Sequence, residues 1–169
     1  YPSKNLGGIG DGGIITLNDM AVATEIRKLR NHGAVGPYLH GAVGFNSRLD
    51  EIQAVVLLIK LKRIDMYNEL RRKKAALYTK FLKDKVLCPK EFEGYYHVYH
   101  QYTIMSPKRD LIQRALKDHG ISSTVYYPVP MHLQEPVKFL GYKEGDYKAA
   151  EKAAKEVLSL PICTELEES

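Results

Sequence analysis

Five glycines fall within the seven residues Gly7-Gly8-Ile9-Gly10-Asp11-Gly12-Gly13. So dense a cluster is incompatible with a regular helix or strand, because each glycine loses more backbone freedom on ordering than any other residue and contributes no side chain to packing. It predicts irregular backbone, with conformations closed to other residues and room for another group to approach closely. Lys4 stands at the entrance to this run, between Pro2 and Gly7. A lysine placed there has two fates. It can be a solvated cation, the usual state of lysine, or an amine nucleophile that forms a Schiff base with a carbonyl compound.

Beyond the glycines, the apolar Ile14-Ile15-Thr16-Leu17 predicts a short buried strand. Asn18-Asp19 reads as a helix cap, and Met20, Val22, Ala23, Ile26 and Leu29 mark one face of a helix that stops before Gly33. Residues 34–41 lack a period and read as a loop. Ser47 followed by Asp50 fits a capping pattern, with Leu49, Ile52, Val56 and Ile59 continuing a helix to Lys62. Asn46 then precedes a helix N-terminus, where unpaired N–H groups and the dipole favour phosphate. The plainer alternative is that Asn46 and Ser47 only cap the helix.

A long amphipathic helix is predicted from Ile64 to Leu82, and a domain boundary near Arg63 divides residues 1–62 from 63–169. Val98 to Met105 reads as a strand, Arg109 to His119 as a helix ending at Gly120, Ser122 to Tyr127 as a strand, and Asp146 to Leu160 as an Ala- and Lys-rich helix stopped by Pro161. Alternating strands and helices imply a small α/β layer.

In Tyr126-Tyr127-Pro128-Val129-Pro130-Met131-His132-Leu133-Gln134 two prolines fix an extended turn and hold Tyr127 and His132 in set directions. On its own this is a rigid loop. His32 sits at a helix end, where a cationic ring suits the dipole. His97 and His100 have an odd offset on the expected strand and so point to opposite faces, and no zinc-type Cys/His spacing occurs, so no metal site is expected.

Lys and Arg number 25 against 20 Asp and Glu, a formal net charge of +5 that suits either nucleic acid or an anionic metabolite. The one dense run, Arg71-Arg72-Lys73-Lys74, fans around a helix axis without aromatic stacking partners, which favours a solvated face over a nucleic-acid patch. No apolar run approaches the roughly 20 residues that a membrane helix needs, and no membrane association is expected. Cys88 and Cys163 form no C-x-x-C pair, which suits a reducing cytoplasm.

Residues 1–19, Arg30-Asn31-His32-Gly33 and Gly44-Phe45-Asn46-Ser47-Arg48-Leu49-Asp50-Glu51-Ile52-Gln53-Ala54 together resemble the DegT/DnrJ/EryC1/StrS family of pyridoxal-phosphate-dependent sugar aminotransferases. The resemblance extends to Glu165. It implies an α/β fold of the pyridoxal-phosphate-dependent transferase type (aspartate aminotransferase type, fold type I), with the end of the large domain followed by a small C-terminal α/β domain. Because the chain opens inside a family motif at Tyr1, about half of such an enzyme is expected to lie N-terminal to it.

The resemblance assigns roles residue by residue. Lys4 is the Schiff-base lysine and general acid–base, and Asn46 reaches the cofactor phosphate of a neighbouring subunit in a homodimer with shared active sites. His32, Arg48, Tyr127 and His132 are implied to bind substrate. The implied substrates are a keto sugar linked to a nucleotide diphosphate and, as amino donor, glutamate or glutamine. Two other readings stand beside this one. A dehydratase of the same family carries histidine in place of Lys4, and a non-catalytic binding or regulatory protein keeps the fold without the chemistry.

Overall fold

The computed structural model describes residues 1–166, and the chain divides into two compact units, Tyr1–Ile64 and Asp65–Ser169. In the first unit Asp19 caps helix α1 (Met20–Leu29): its Oδ1 accepts the N–H groups of Ala21 at 2.8 Å and Val22 at 3.1 Å. This removes two of the orphan donors that every helix N-terminus carries. The chain leaves α1 through His32 and Gly33, both left-handed with φ of 61° and 72°. It returns through strands β1 (Ala34–Gly36) and β2 (Leu39–His40), a short antiparallel hairpin in the stretch expected to be a loop. Three residues and a bulged register are too few to leave a periodic trace in the sequence.

Residues 29–33 then zip onto 44–47: Phe45 N–H donates to Leu29 O at 2.7 Å, His32 N–H to Phe45 O at 2.9 Å and Ser47 N–H to Arg30 O at 2.9 Å. A Cβ at Gly44 would lie 2.1 Å from Gly33 N, so the two backbones meet at a distance that no side chain permits. Helix α2 (Glu51–Leu61) follows, with Asp50 at its N-cap and no side-chain cap bond. Ser47 is therefore not the cap, because the helix starts later than the Ser47/Asp50 pattern predicts. Ile14–Leu17 also departs from expectation. A strand is defined by its hydrogen-bonded neighbour, and this segment has no ladder partner among the described residues.

The predicted long helix, α3 (Ile64–Leu82), belongs to the second unit from Asp65 on. The core of that unit is built on strands β3 (Tyr102–Met105) and β4 (Val157–Leu160), paired antiparallel in the register Tyr102↔Leu160 to Met105↔Val157. Single bridges widen this ribbon at both edges, Leu87 to Met105 and Thr124 to Ser159. Helices α4 (Arg109–Asp118) and α5 (Lys148–Glu156) complete the layer. Tyr102, Ile104, Leu158 and Leu160 form the buried centre with Ala75 of α3, and Ile112 and Leu116 of α4 pack against them. Burial of each large apolar side chain there contributes about 2 kcal/mol.

Three sequence expectations are corrected in this unit. The strand expected over 98–105 is confined to 102–105, and that expected over 122–127 is reduced to the bridge at Thr124. The helix expected to reach Leu160 ends at Glu156, and Val157-Leu158-Ser159-Leu160 enters the sheet directly. All four of those residues are buried, whereas a helix continuing α5 would alternate between core and solvent. His97 and His100 precede β3, so strand alternation does not govern them, and the Nδ1 of His97 accepts the Tyr99 N–H at 3.0 Å.

Candidate active site

Lys4 is exposed on a tight turn closed by its own N–H, which donates to Tyr1 O at 3.1 Å. The turn is compact because a Cβ at Gly7 would lie 2.3 Å from Pro2 O. Gly7 and Gly8 are buried. A Cβ at Gly8 would lie 2.4 Å from Gln53 Oε1, and one at Gly10 would lie 2.9 Å from Gln53 Nε2. Neither these glycines nor Gly12 and Gly13 has a left-handed φ. Gly7, Gly8 and Gly10 are thus needed for close approach and not for unusual dihedrals, which corrects half of what the cluster predicted.

Gln53, on the first turns of α2, is 7% exposed, and its Oε1 accepts the Ile9 N–H at 2.7 Å. The sequence assigned no role to this residue; apart from its place in the family motif, its signal is a polar amide in the apolar run Ile52-Gln53-Ala54-Val55-Val56-Leu57-Leu58. Leu49 packs from the same side, with Cδ1 2.9 Å from where a Cβ of Gly12 would sit.

Three other predicted residues are brought together in the zipped corner before α2. Asn46 forms an antiparallel bridge with Asn31, and its Oδ1 accepts Arg48 Nε–H at 3.0 Å. His32 donates its N–H to Phe45 O, and its carbonyl accepts the His40 Nδ1–H at 3.0 Å. All three side chains are exposed. Asn46 stands four residues ahead of the Asp50 cap, so the helix dipole is not what would draw a phosphate to it. A charged donor at Arg48 aligned with the Asn46 amide is the local feature that favours an anion.

Tyr127 and His132 belong to the second unit. Tyr127 is 70% exposed, with its ring 5.5 Å from that of Tyr126. The His132 side chain, on a 3-10 turn over Met131–Leu133, is 8% exposed and places Nε2 3.1 Å from Glu151 Oε1. That oxygen also accepts the N–H groups of Gly145 at 2.8 Å and Tyr147 at 3.3 Å. Burial opposes the charged form of Glu151, but the Gly145 N–H, the His132 ring and the Tyr147 N–H together hold its carboxyl below the usual carboxylate range. The Tyr147 ring lies tilted against that of His132, with centroids 4.8 Å apart. Of the two predicted residues, Tyr127 is the exposed one, and His132 is committed to Glu151, which sequence reasoning left as one more charge on an Ala- and Lys-rich helix. Among the described residues no group of three His, Cys, Asp or Glu side chains could hold a metal.

The chain matches the model of the DegT/DnrJ/EryC1/StrS aminotransferase family over residues 1–169. It is 53% identical to a pleiotropic regulatory protein of Geobacillus stearothermophilus, over 99% of this chain and 46% of that one. It is 43% identical to a UDP-N-acetyl-3-dehydro-alpha-D-glucosamine 3-aminotransferase of Acidithiobacillus ferrooxidans, over 99% of this chain and 45% of that one. Among solved structures, S. venezuelae DesV in complex with a ketimine intermediate superposes with a TM-score of 0.94 at 40% identity, covering 99% of this chain and 46% of DesV. The chain thus spans about half the length of the relatives it matches and shares their mixed α/β fold. With a family match along its whole length, Lys4 on the glycine turn and a backbone that follows DesV, the chain belongs to the DegT/DnrJ/EryC1/StrS aminotransferase family.

Proposed function

We propose that this chain is the lysine-bearing part of a pyridoxal-phosphate-dependent aminotransferase that transfers an amino group from glutamate or glutamine to the keto carbon of a nucleotide-linked sugar. The observation that carries the reading is Lys4, an exposed primary amine on a compact turn, in a chain of an aminotransferase family. A primary amine, with exposed Asn46 and Arg48 side chains elsewhere in the same unit, fits a cofactor made of an aldehyde and a phosphate. When bound, that cofactor supplies the electron sink for amine exchange. Lys4 Nζ would hold the cofactor through its aldehyde, with loss of water, and once freed by the donor amine would serve as the base for the proton on the donor α-carbon and as the acid that gives it back. The same atom works in reverse on the sugar.

Residues 1–62 are the end of the large cofactor domain and 63–169 the linking helix and small domain. Asn46 serves the cofactor phosphate of a second subunit. An exposed apolar face of α2, with Ile52 at 73%, Leu58 at 60% and Ile59 at 57%, supports burial against further protein in a homodimer. His32, Arg48 and Tyr127 contact the substrate, and His132 serves it through the segment that it anchors. The reaction is cytoplasmic and supplies amino sugars for polysaccharides; the name of the Acidithiobacillus relative supports the substrate class alone, a nucleotide-linked keto sugar.

The deciding experiment is borohydride reduction of the intact enzyme with pyridoxal phosphate, peptide mapping, and a screen of nucleotide keto sugars with glutamate. A reduced adduct on Lys4 and an aminated sugar are the expected results. A regulatory reading is favoured by one observation, the name of the Geobacillus relative. An intact protein that forms no Lys4 adduct and aminates no sugar supports that reading instead.

A further inference from the structure

We infer that Gln53 is the positioning residue for Lys4, holding the turn that carries the amine at a fixed place against α2. This rests on the proposed function, in which Lys4 does the chemistry. Gln53 is buried within the run Ile52–Leu58, whose other residues are apolar, and its amide meets the glycine run. Oε1 accepts the Ile9 N–H at 2.7 Å, while the backbones of Gly8 and Gly10 close on the two ends of the amide, so near that a methyl at either would collide with it. The loop is therefore shaped to a glutamine at this place.

The constraint reaches Lys4 because little can give between the two. Gly7 is pressed on Pro2 O, and the Lys4 N–H is tied to Tyr1 O, so residues 1–7 form one compact turn. Ile9 is two residues beyond it. Pinning Ile9 to α2 pins the turn, and α2 is the helix that Asn46 and Arg48 lead into. Gln53 thus braces the amine and the anion-favouring corner to one helix. A displacement on the order of 1 Å at a reacting group can reduce rate about a hundredfold, so a brace of this kind acts on chemistry as well as on stability.

The test uses the intact enzyme as wild type, Gln53→Met and Gln53→Glu. Methionine keeps the volume and removes the acceptor, whereas glutamate retains an oxygen for Ile9. Backbone hydrogen exchange over residues 7–14 and the rate of borohydride-trapped pyridoxal phosphate on Lys4 are measured together. In Q53M both are expected to change, with exchange about tenfold faster and trapping about tenfold slower, the loss of one buried hydrogen bond. Q53E is expected to recover most of both. Trapping by Q53M within about twofold of wild type, with exchange accelerated, makes Gln53 a purely structural residue and overturns the inference.

If Q53M does not fold, Gly8→Ala approaches the same contact from the loop side, because its methyl displaces the Gln53 amide. The same slowing is expected, and unchanged trapping again overturns the inference. A wild type without a Lys4 adduct overturns the proposed function and this inference together. A wild type with an adduct that neither variant slows overturns only the inference.

Discussion

Nε2 of His132 lies 3.1 Å from Oε1 of Glu151, with the two side chains 8% and 10% exposed, and the same carboxylate oxygen accepts two backbone N–H groups from the turn at Gly145–Tyr147. One buried acceptor therefore ties the Tyr127–Gln134 segment to the start of α5. In Glu151→Ala three donors lose their partner, and the KM for the keto sugar is expected to rise about tenfold with a smaller change in kcat. Glu151→Gln, which keeps an acceptor oxygen, is expected to restore most of that KM. Steady-state kinetics of the three forms decides it.

The same carboxylate sets a pH dependence. Its folded value lies below the ordinary 4.5, so in the window beneath 4.5 the unfolded chain binds more protons than the folded one. The contribution of Glu151 to stability is complete above that window and is lost as pH falls through the folded value. Urea midpoints of the wild type are expected to fall more steeply than those of E151Q as pH is lowered through that range.

Lys4→Ala is expected to reduce transamination by at least about a thousandfold, within the range general acid–base groups contribute, and to leave far-UV circular dichroism unchanged. Lys4 is exposed, so its removal leaves no buried cavity.

Leu158→Ala removes most of a side chain that is 1% exposed in the β3–β4 core. A loss of about 3 kcal/mol is expected from urea unfolding, the usual scale for a truncated core leucine.

Gly33→Ala is expected to cost about 2 kcal/mol or more, because φ is +72° and the new Cβ would sit 1.9 Å from Ala42 O. Lower urea midpoints, together with weaker phosphate binding at the neighbouring Asn46 corner, are the measurable signs.

Much of the chain is legible locally. The Asp19 cap, the faces of α1 and α3, and the stop at Gly120 are contacts between residues a few positions apart, and composition over one or two helical turns decides them. The lysine turn is legible for a related reason, since no regular element tolerates five glycines in seven residues. Other features rest on partners distant along the chain. Val157–Leu160 reads as the end of a helix until Tyr102–Met105 lies beside it, from 52 residues earlier at the Met105↔Val157 pairing to 58 at Tyr102↔Leu160. Gln53 and Glu151 look like ordinary polar residues in helices until Ile9 and His132 are placed against them, 44 and 19 positions away. Sequence alone determined α1, α3 and α4, the turn that carries Lys4 and the family pattern, because each is written in neighbouring residues. Tertiary structure decided the strand register and which buried side chains hold the site, because a hydrogen bond to a distant backbone leaves no periodic mark on the residue that makes it.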